Sequence, residues 1–198
     1  MPRYPRTIEN LITSFCQLPG VGRKTAERYV FFLLKQDSES LHSFSQNLFN
    51  LRNSNFLCPD CFNFSESGNQ CDICANPKRD HSIICVVEEI QDLSVIEGTG
   101  EYNGVYHVLH GKLDPIEGMT PEKLRIKDLE KRLFTSQVAE IILALNPDIQ
   151  GEGTIMYLKN ILKDYPIKLS VLARGLAVGS EIEYADDATI ANALRGRI

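Results

Sequence analysis

Four cysteines carry the clearest chemistry in this sequence. Cys58-Pro-Asp-Cys61 and Cys71-Asp-Ile-Cys74 are two CxxC pairs with nine residues between them, and thiolates so spaced can enclose a tetrahedral zinc at about 2.3 Å per Zn–S bond. Four thiolates leave no coordination position open, so the role of such a zinc is structural. Redox pairing is the competing reading, but no thioredoxin-like strand and helix surround either pair. Cys16 and Cys85 fall on apolar faces of a predicted helix and a predicted strand, where inert buried thiols are expected.

Phosphate binding is the second chemistry. Leu18-Pro19-Gly20-Val21-Gly22 runs straight into Arg23-Lys24-Thr25-Ala26, a glycine-rich turn that opens a helix. Gly20 and Gly22 let backbone approach an anion closely, the helix N-terminus offers unpaired N–H groups, and Lys24 and Arg28 lie one turn apart beside Arg23. A helix turn without a ligand would also use glycine here. A third group is acidic: Glu88 and Asp92 follow one predicted strand, while Asn146-Pro147-Asp148 and Glu152 follow another. At the carboxyl ends of strands in an open α/β sheet such acids can gather Mg²⁺, and solvated loop acids are the alternative.

The elements that must position these groups follow from periodicity. Ile8, Leu11, Ile12 and Phe15, behind a Thr7 cap, recur at helical spacing, as do Ala26, Tyr29, Val30, Leu33 and Leu34, and then Leu41, Phe44, Leu48 and Leu51. From Asn53 to Asp80 there is no apolar periodicity, so the cysteine segment cannot build its own core. Residues 82–87, 105–109, 140–145 and 167–173 are expected to be buried strands. Helical patterns separate them near 91–96, at 121–133 and at 154–163, the middle one with Thr120 as N-cap and Pro121 at its first position. Such alternation implies a mostly parallel sheet covered on both faces. The fold class expected is a multi-module α/β chain: a helical module over 1–54, a four-cysteine zinc finger over 55–79, an α/β sheet domain over 80–175 and a short C-terminal segment over 176–198.

Composition limits the function. The 198 residues carry a formal net charge of −5 and 43% apolar side chains, enough for a folded core and against disorder. The longest apolar run, 29–34, is too short to cross a bilayer, and no apolar stretch of secretory type follows the basic N-terminus, so a cytoplasmic location with reduced cysteines is expected. Residues 1–28 hold five basic side chains against two acids, a net of +3 that leaves −8 for the remainder. A basic arm on an acidic body suits a protein that meets nucleic acid at one surface and basic partners at another, with chance clustering as the alternative.

The glycine turn with its cations resembles the helix-hairpin-helix element of DNA repair proteins, which grips sugar-phosphate backbone without reading sequence. Glu88 with Asn146-Pro147-Asp148 resembles the Toprim domain of topoisomerases, primases and some nucleases, where an Asp-x-Asp pair would stand. Asn146 in place of the first aspartate leaves the carboxylate set for two-metal phosphoryl chemistry incomplete. In this order, and with the loop His110-Gly111-Lys112-Leu113-Asp114-Pro115-Ile116-Glu117-Gly118 and the stretch Leu172 to Gly179, the modules resemble the RecR family of bacterial recombination mediators over essentially the whole chain. Members usually have Pro where Ala177 stands. The resemblance implies a non-enzymatic homo-oligomer, a dimer or a tetrameric ring, that binds single- and double-stranded DNA and acts with RecO and RecF in loading RecA at gaps. The alternatives are a Mg²⁺-dependent nuclease or primase-like enzyme using Glu88, Asp92, Asp148 and Glu152, and a zinc-stabilised interaction module that never meets DNA.

Overall fold

In the computed structural model, which describes residues 3–53, 56–135 and 137–197, the chain divides into two units, 1–54 and 55–198. The first is helical: α1 (Arg6–Cys16), α2 (Arg23–Leu33) and α3 (Ser38–Asn53). Ile12, Ala26 and Val30 are its buried residues, with Tyr4, Ile8, Phe15 and Val21 packed around them. Two edge-to-face ring pairs, Tyr4–Phe31 and Phe15–Tyr29, tie α1 and its lead-in to α2. The expected Thr7 cap is not made. The N-cap is Pro5, whose carbonyl accepts from Ile8 and Glu9 N–H and so starts the helix ahead of Thr7. Cys16 is exposed rather than buried. It is the last residue of α1, past the apolar stripe that Ile8 and Ile12 turn inward. The third apolar series forms a helix as expected, but Leu41 is only half-buried, and Phe44 and Leu48 are exposed.

The second unit is built on a four-stranded, wholly parallel sheet. After the short antiparallel pair β1 (Phe56–Leu57) and β2 (Phe64–Ser65) and the one-turn helix α4 (Asp72–Ala75) come β3 (Asp80–Val87), α5 (Ile90–Glu97) and β4 (Gly104–Val108). They are followed by α6 (Ile126–Thr135), β5 (Glu140–Ala144), α7 (Ile149–Leu162) and β6 (Lys168–Val171). The order across the sheet is β4-β3-β5-β6. The chain therefore reverses direction across the sheet between β3 and β5, the crevice position where open α/β sheets place their sites. Alternation along the strands fills both faces: Ile84, Val86, Ile141 and Leu143 join Leu129 and Leu158 on one side, while Cys85, Val87, Tyr106 and Val108 join Leu93 on the other. Cys85 is thus the buried thiol expected, pushed up to about 12 by burial. A 3₁₀ turn (Ile182–Tyr184) and α8 (Asp187–Arg195), capped by Asp186, complete the chain.

Three expectations need correction here. β6 is a half-exposed edge strand rather than a buried one, because only β5 pairs with it. Thr120 and Pro121 belong to a turn, and α6 begins at Ile126. Arg125 decides this start: its N–H goes to the Leu109 carbonyl at 3.1 Å and its carbonyl accepts from His107 Nε2 at 2.8 Å, anchoring the helix entrance to the end of β4. At α7 the shift runs the other way. Asp148 accepts from Gly151 N–H at 2.8 Å as N-cap, so Gly151, Glu152 and Gly153 are helical rather than loop.

Candidate functional site

The four cysteines converge. Their Sγ atoms all lie within 4.8 Å of one another, and all four side chains are buried. A tetrahedron of Zn–S bonds has S···S edges of roughly 3.8 Å; Cys61 and Cys71 sulfurs are 3.5 Å apart, far too long for a disulfide of about 2.05 Å. Backbone N–H groups of Asn63 and Cys71 point at Cys61 and Cys58 sulfur at 3.5 and 3.4 Å, favouring thiolate character. Hydrogen bonding to Cys71 and Cys74, together with burial, pushes the Cys61 thiol up, while the same Cys61 hydrogen bond holds Cys71 down. Buried sulfurs cannot all ionise without a cation among them, and the donor set fits a metal ion.

The knuckle is docked on the sheet by backbone groups. Cys61 carbonyl accepts from Val108 N–H at 2.8 Å, Phe62 carbonyl from His110 Nε2 at 2.9 Å, and Asp60 carbonyl from the Arg132 guanidinium at 3.3 Å. Phe62 takes φ +62°, an uncommon conformation for an aromatic residue, in the turn that follows Cys61. Its ring lies under the Arg125 guanidinium at 4.7 Å and edge-on to His107.

In the helical unit, Gly20 has φ +74° and needs glycine for that reason. Gly22, the N-cap of α2, does not: its φ is −80° and a Cβ there would meet nothing within 4 Å. The consequence of its missing side chain is open access to the first-turn N–H groups. Arg23 is held by carboxylates, Glu9 at 2.9 Å and Glu27 at 3.2 Å, and so ties α1 to α2. Lys24 and Arg28 are exposed, and among the described residues neither pairs with a carboxylate.

The acids at the sheet's carboxyl end do not act together. Glu88 is 4% exposed, and its oxygens accept from Asn146 N–H at 2.7 Å and Asn146 Nδ2 at 2.9 Å. Lys112 Nζ stands 3.9 Å from Glu88 and is paired with Asp148, whose carboxyl it holds below the usual carboxylate range. Asp92 accepts from Glu89 N–H at 2.9 Å in the capping box of α5, and Glu152 pairs with Arg174. Glu88 and Asp148 thus share Lys112, while Asp92 and Glu152 have partners elsewhere.

Models of the RecR helix-hairpin-helix, the Toprim domain and the RecR C-terminal region match residues 8–51, 82–173 and 175–198. The chain is 44% identical over 194 residues to recombination protein RecR of Moorella thermoacetica, covering 98% of this chain and 97% of that protein. It is 47% identical over 193 residues to recombination protein RecR of Amoebophilus asiaticus, covering 98% and 96%. This chain belongs to the RecR family. Several residues of this RecR family member carry weight that sequence reading missed. Lys112 lay inside a quoted loop but gave no charge signal across 36 residues to Asp148, and nothing in the local pattern pairs Arg174 with Glu152. His110, at φ +59°, and Phe62 are visible only once β4 and the knuckle are side by side.

Proposed function

We propose that this chain is a non-enzymatic mediator of recombinational DNA repair whose hairpin, through Gly20, Gly22, Arg23, Lys24 and Arg28, holds the backbone phosphates of single- or double-stranded DNA. The observation that carries this is the open Gly22 corner at the start of α2, with exposed Lys24 and Arg28 following on the same helix and neither paired with a carboxylate among the described residues: cations and uncapped helix N–H groups suit a phosphate rather than a base. Arg23, tied to Glu9 and Glu27, serves mainly to set the hairpin's geometry. Cys58, Cys61, Cys71 and Cys74 hold one structural zinc. The modules are 1–54, 55–79, 80–175 and 176–198, and the protein works in the cytoplasm. Among the described residues no helix is long and apolar enough to cross a membrane.

The partner side of this reading rests on the −8 charge outside the hairpin, which suits a basic protein such as RecO, with RecF and RecA loading following from the family. A homo-oligomer follows from the family in the same way. A non-catalytic role is supported by Asn146, which donates to Glu88 where an aspartate would be a ligand.

The test is the double variant Lys24→Glu/Arg28→Glu, assayed for DNA binding across a salt series with strand integrity followed in Mg²⁺. Affinity should fall alike on unrelated sequences, with the salt slope flattened by about one log unit per lost phosphate contact. Unchanged affinity and slope in a folded variant would move the DNA surface elsewhere. Mg²⁺-dependent cleavage by the unmutated protein, lost in Glu88→Ala, would favour the enzyme reading instead.

A further inference from the structure

We infer that the ammonium of Lys112 stands where a Toprim fold would hold its divalent cation, so that this crevice carries its own tethered positive charge and takes no Mg²⁺ while that lysine is in place. The crevice lies at the carboxyl ends of β3 and β5, where the strand order reverses. Glu88, buried there, needs a countercharge, and among the described residues the one cation reaching both Glu88 and Asp148 is Lys112. Its side chain is 30% exposed, so the charge is partly withdrawn from water.

With Lys112 in place the residues present do not suit Mg²⁺, which demands near-octahedral oxygen ligands at about 2.0–2.1 Å. Asn146 turns its NH₂ to Glu88, since its carbonyl would face a carboxylate and be repelled; hydrogens rather than lone pairs therefore face the crevice acid. Asp92 and Glu152 have other partners. The position of Lys112 is also built rather than incidental. On one side, Gly111 N–H donates to Glu88 carbonyl at 3.0 Å, and His110 is pinned through Phe62 to the cysteine knuckle. On the other, Leu113 N–H donates to Thr154 Oγ1 at 2.9 Å, and paired bonds between Asp114 and Met119 close the loop behind it. A lysine fixed between two anchored neighbours loses less freedom on pairing than one on an open surface. The inference does not depend on whether the hairpin binds DNA.

The experiment titrates Mn²⁺, followed as free ion by electron paramagnetic resonance, into zinc-loaded full-length protein. The unmutated chain should have no saturable Mn²⁺ site below about 1 mM. Lys112→Ala and Lys112→Gln should each gain one site per chain, with a Kd about tenfold or more below that limit, and the gain should vanish in Lys112→Ala/Glu88→Gln. Either single variant suffices, provided that it keeps its zinc and its unfolding transition. Folded Lys112 variants that gain nothing would overturn the inference, as would a Glu88-dependent Mn²⁺ site in the unmutated chain.

Discussion

Gly151 and Gly153 stand two residues apart in α7, and their surroundings dictate opposite outcomes. A Cβ on Gly151 would lie 2.0 Å from the Asn146 carbonyl oxygen, a backbone atom that cannot step aside without moving the amide that holds Glu88. Gly151→Ala should cost about 3 kcal/mol in urea unfolding. Gly153 has nothing within 4 Å, so Gly153→Ala should stabilise by about 0.5–1 kcal/mol, the helix propensity difference alone. Equal effects at the two positions would contradict the close approach of α7 to the Asn146 strand end. His107 makes a second residue-scale prediction. Burial drives its imidazole down to about 4 from 6.5, so it is neutral in the fold, donating from Nε2 to Arg125 carbonyl. Its contribution is complete above the unfolded value and declines as pH falls toward 4, because the unfolded chain takes up a proton that the native one refuses. Between pH 7 and pH 5 this amounts to about 2 kcal/mol of lost stability. Urea unfolding with zinc in excess should find that loss reduced in His107→Gln by comparison with the unmutated chain; identical pH dependence would show that the ring titrates normally.

The cysteine knuckle has almost no apolar interior beyond its own sulfurs and Ile73, so without a metal its fold has little to stand on. It is nevertheless joined to the sheet by the Cys61–Val108 and Phe62–His110 bonds and by Arg132. Arg79, between knuckle and sheet, adds an ion pair to Glu97, which also accepts from Tyr106 Oη at 2.8 Å. Damage in the knuckle should therefore reach β4. Metal analysis of protein purified without chelator should find one zinc per chain. Cys61→Ser should lower the unfolding midpoint by about 10 °C, equivalent to several kcal/mol at this chain length, and should speed hydrogen exchange at the Val108 amide. A well-folded chain with no metal and four free thiols would rule the zinc out.

Across the whole molecule, charge is divided by sequence position. The +3 of residues 1–28 belongs to the helical unit, and the −8 belongs to the rest, so phosphate attraction is confined to the hairpin while the sheet unit repels polyanions. Placing the cations on a small unit with few buried residues, and the acids on a unit with a two-faced core, separates grip from framework. On the proposed function, the same division gives the acids of the sheet a use without catalysis: at low salt they would offer a field to a basic partner rather than ligands to a metal.

Much of this was legible in the sequence. Cysteine spacing is a local code, and a nine-residue spacer is enough to bring both pairs together. A 3.6-residue apolar period identified the helices and short continuous apolar runs the strands, because burial of one helix face and of both faces of a central strand imposes these patterns whatever the neighbours are. Ends of elements were less legible. Thr7, Thr120 and Gly151 were misjudged because Pro5, Leu109 and Asp148 supply hydrogen bonds that local propensity does not register. The crevice was legible only in part. The sequence could point to Glu88, Asp92, Asp148 and Glu152, but which of them share a cation depends on side chains meeting across 36 or 58 positions. Only the tertiary structure decided that Lys112 stands beside Glu88 and Asp148, because the two anchors that aim it come from the knuckle and from α7, and neither is near it in the chain.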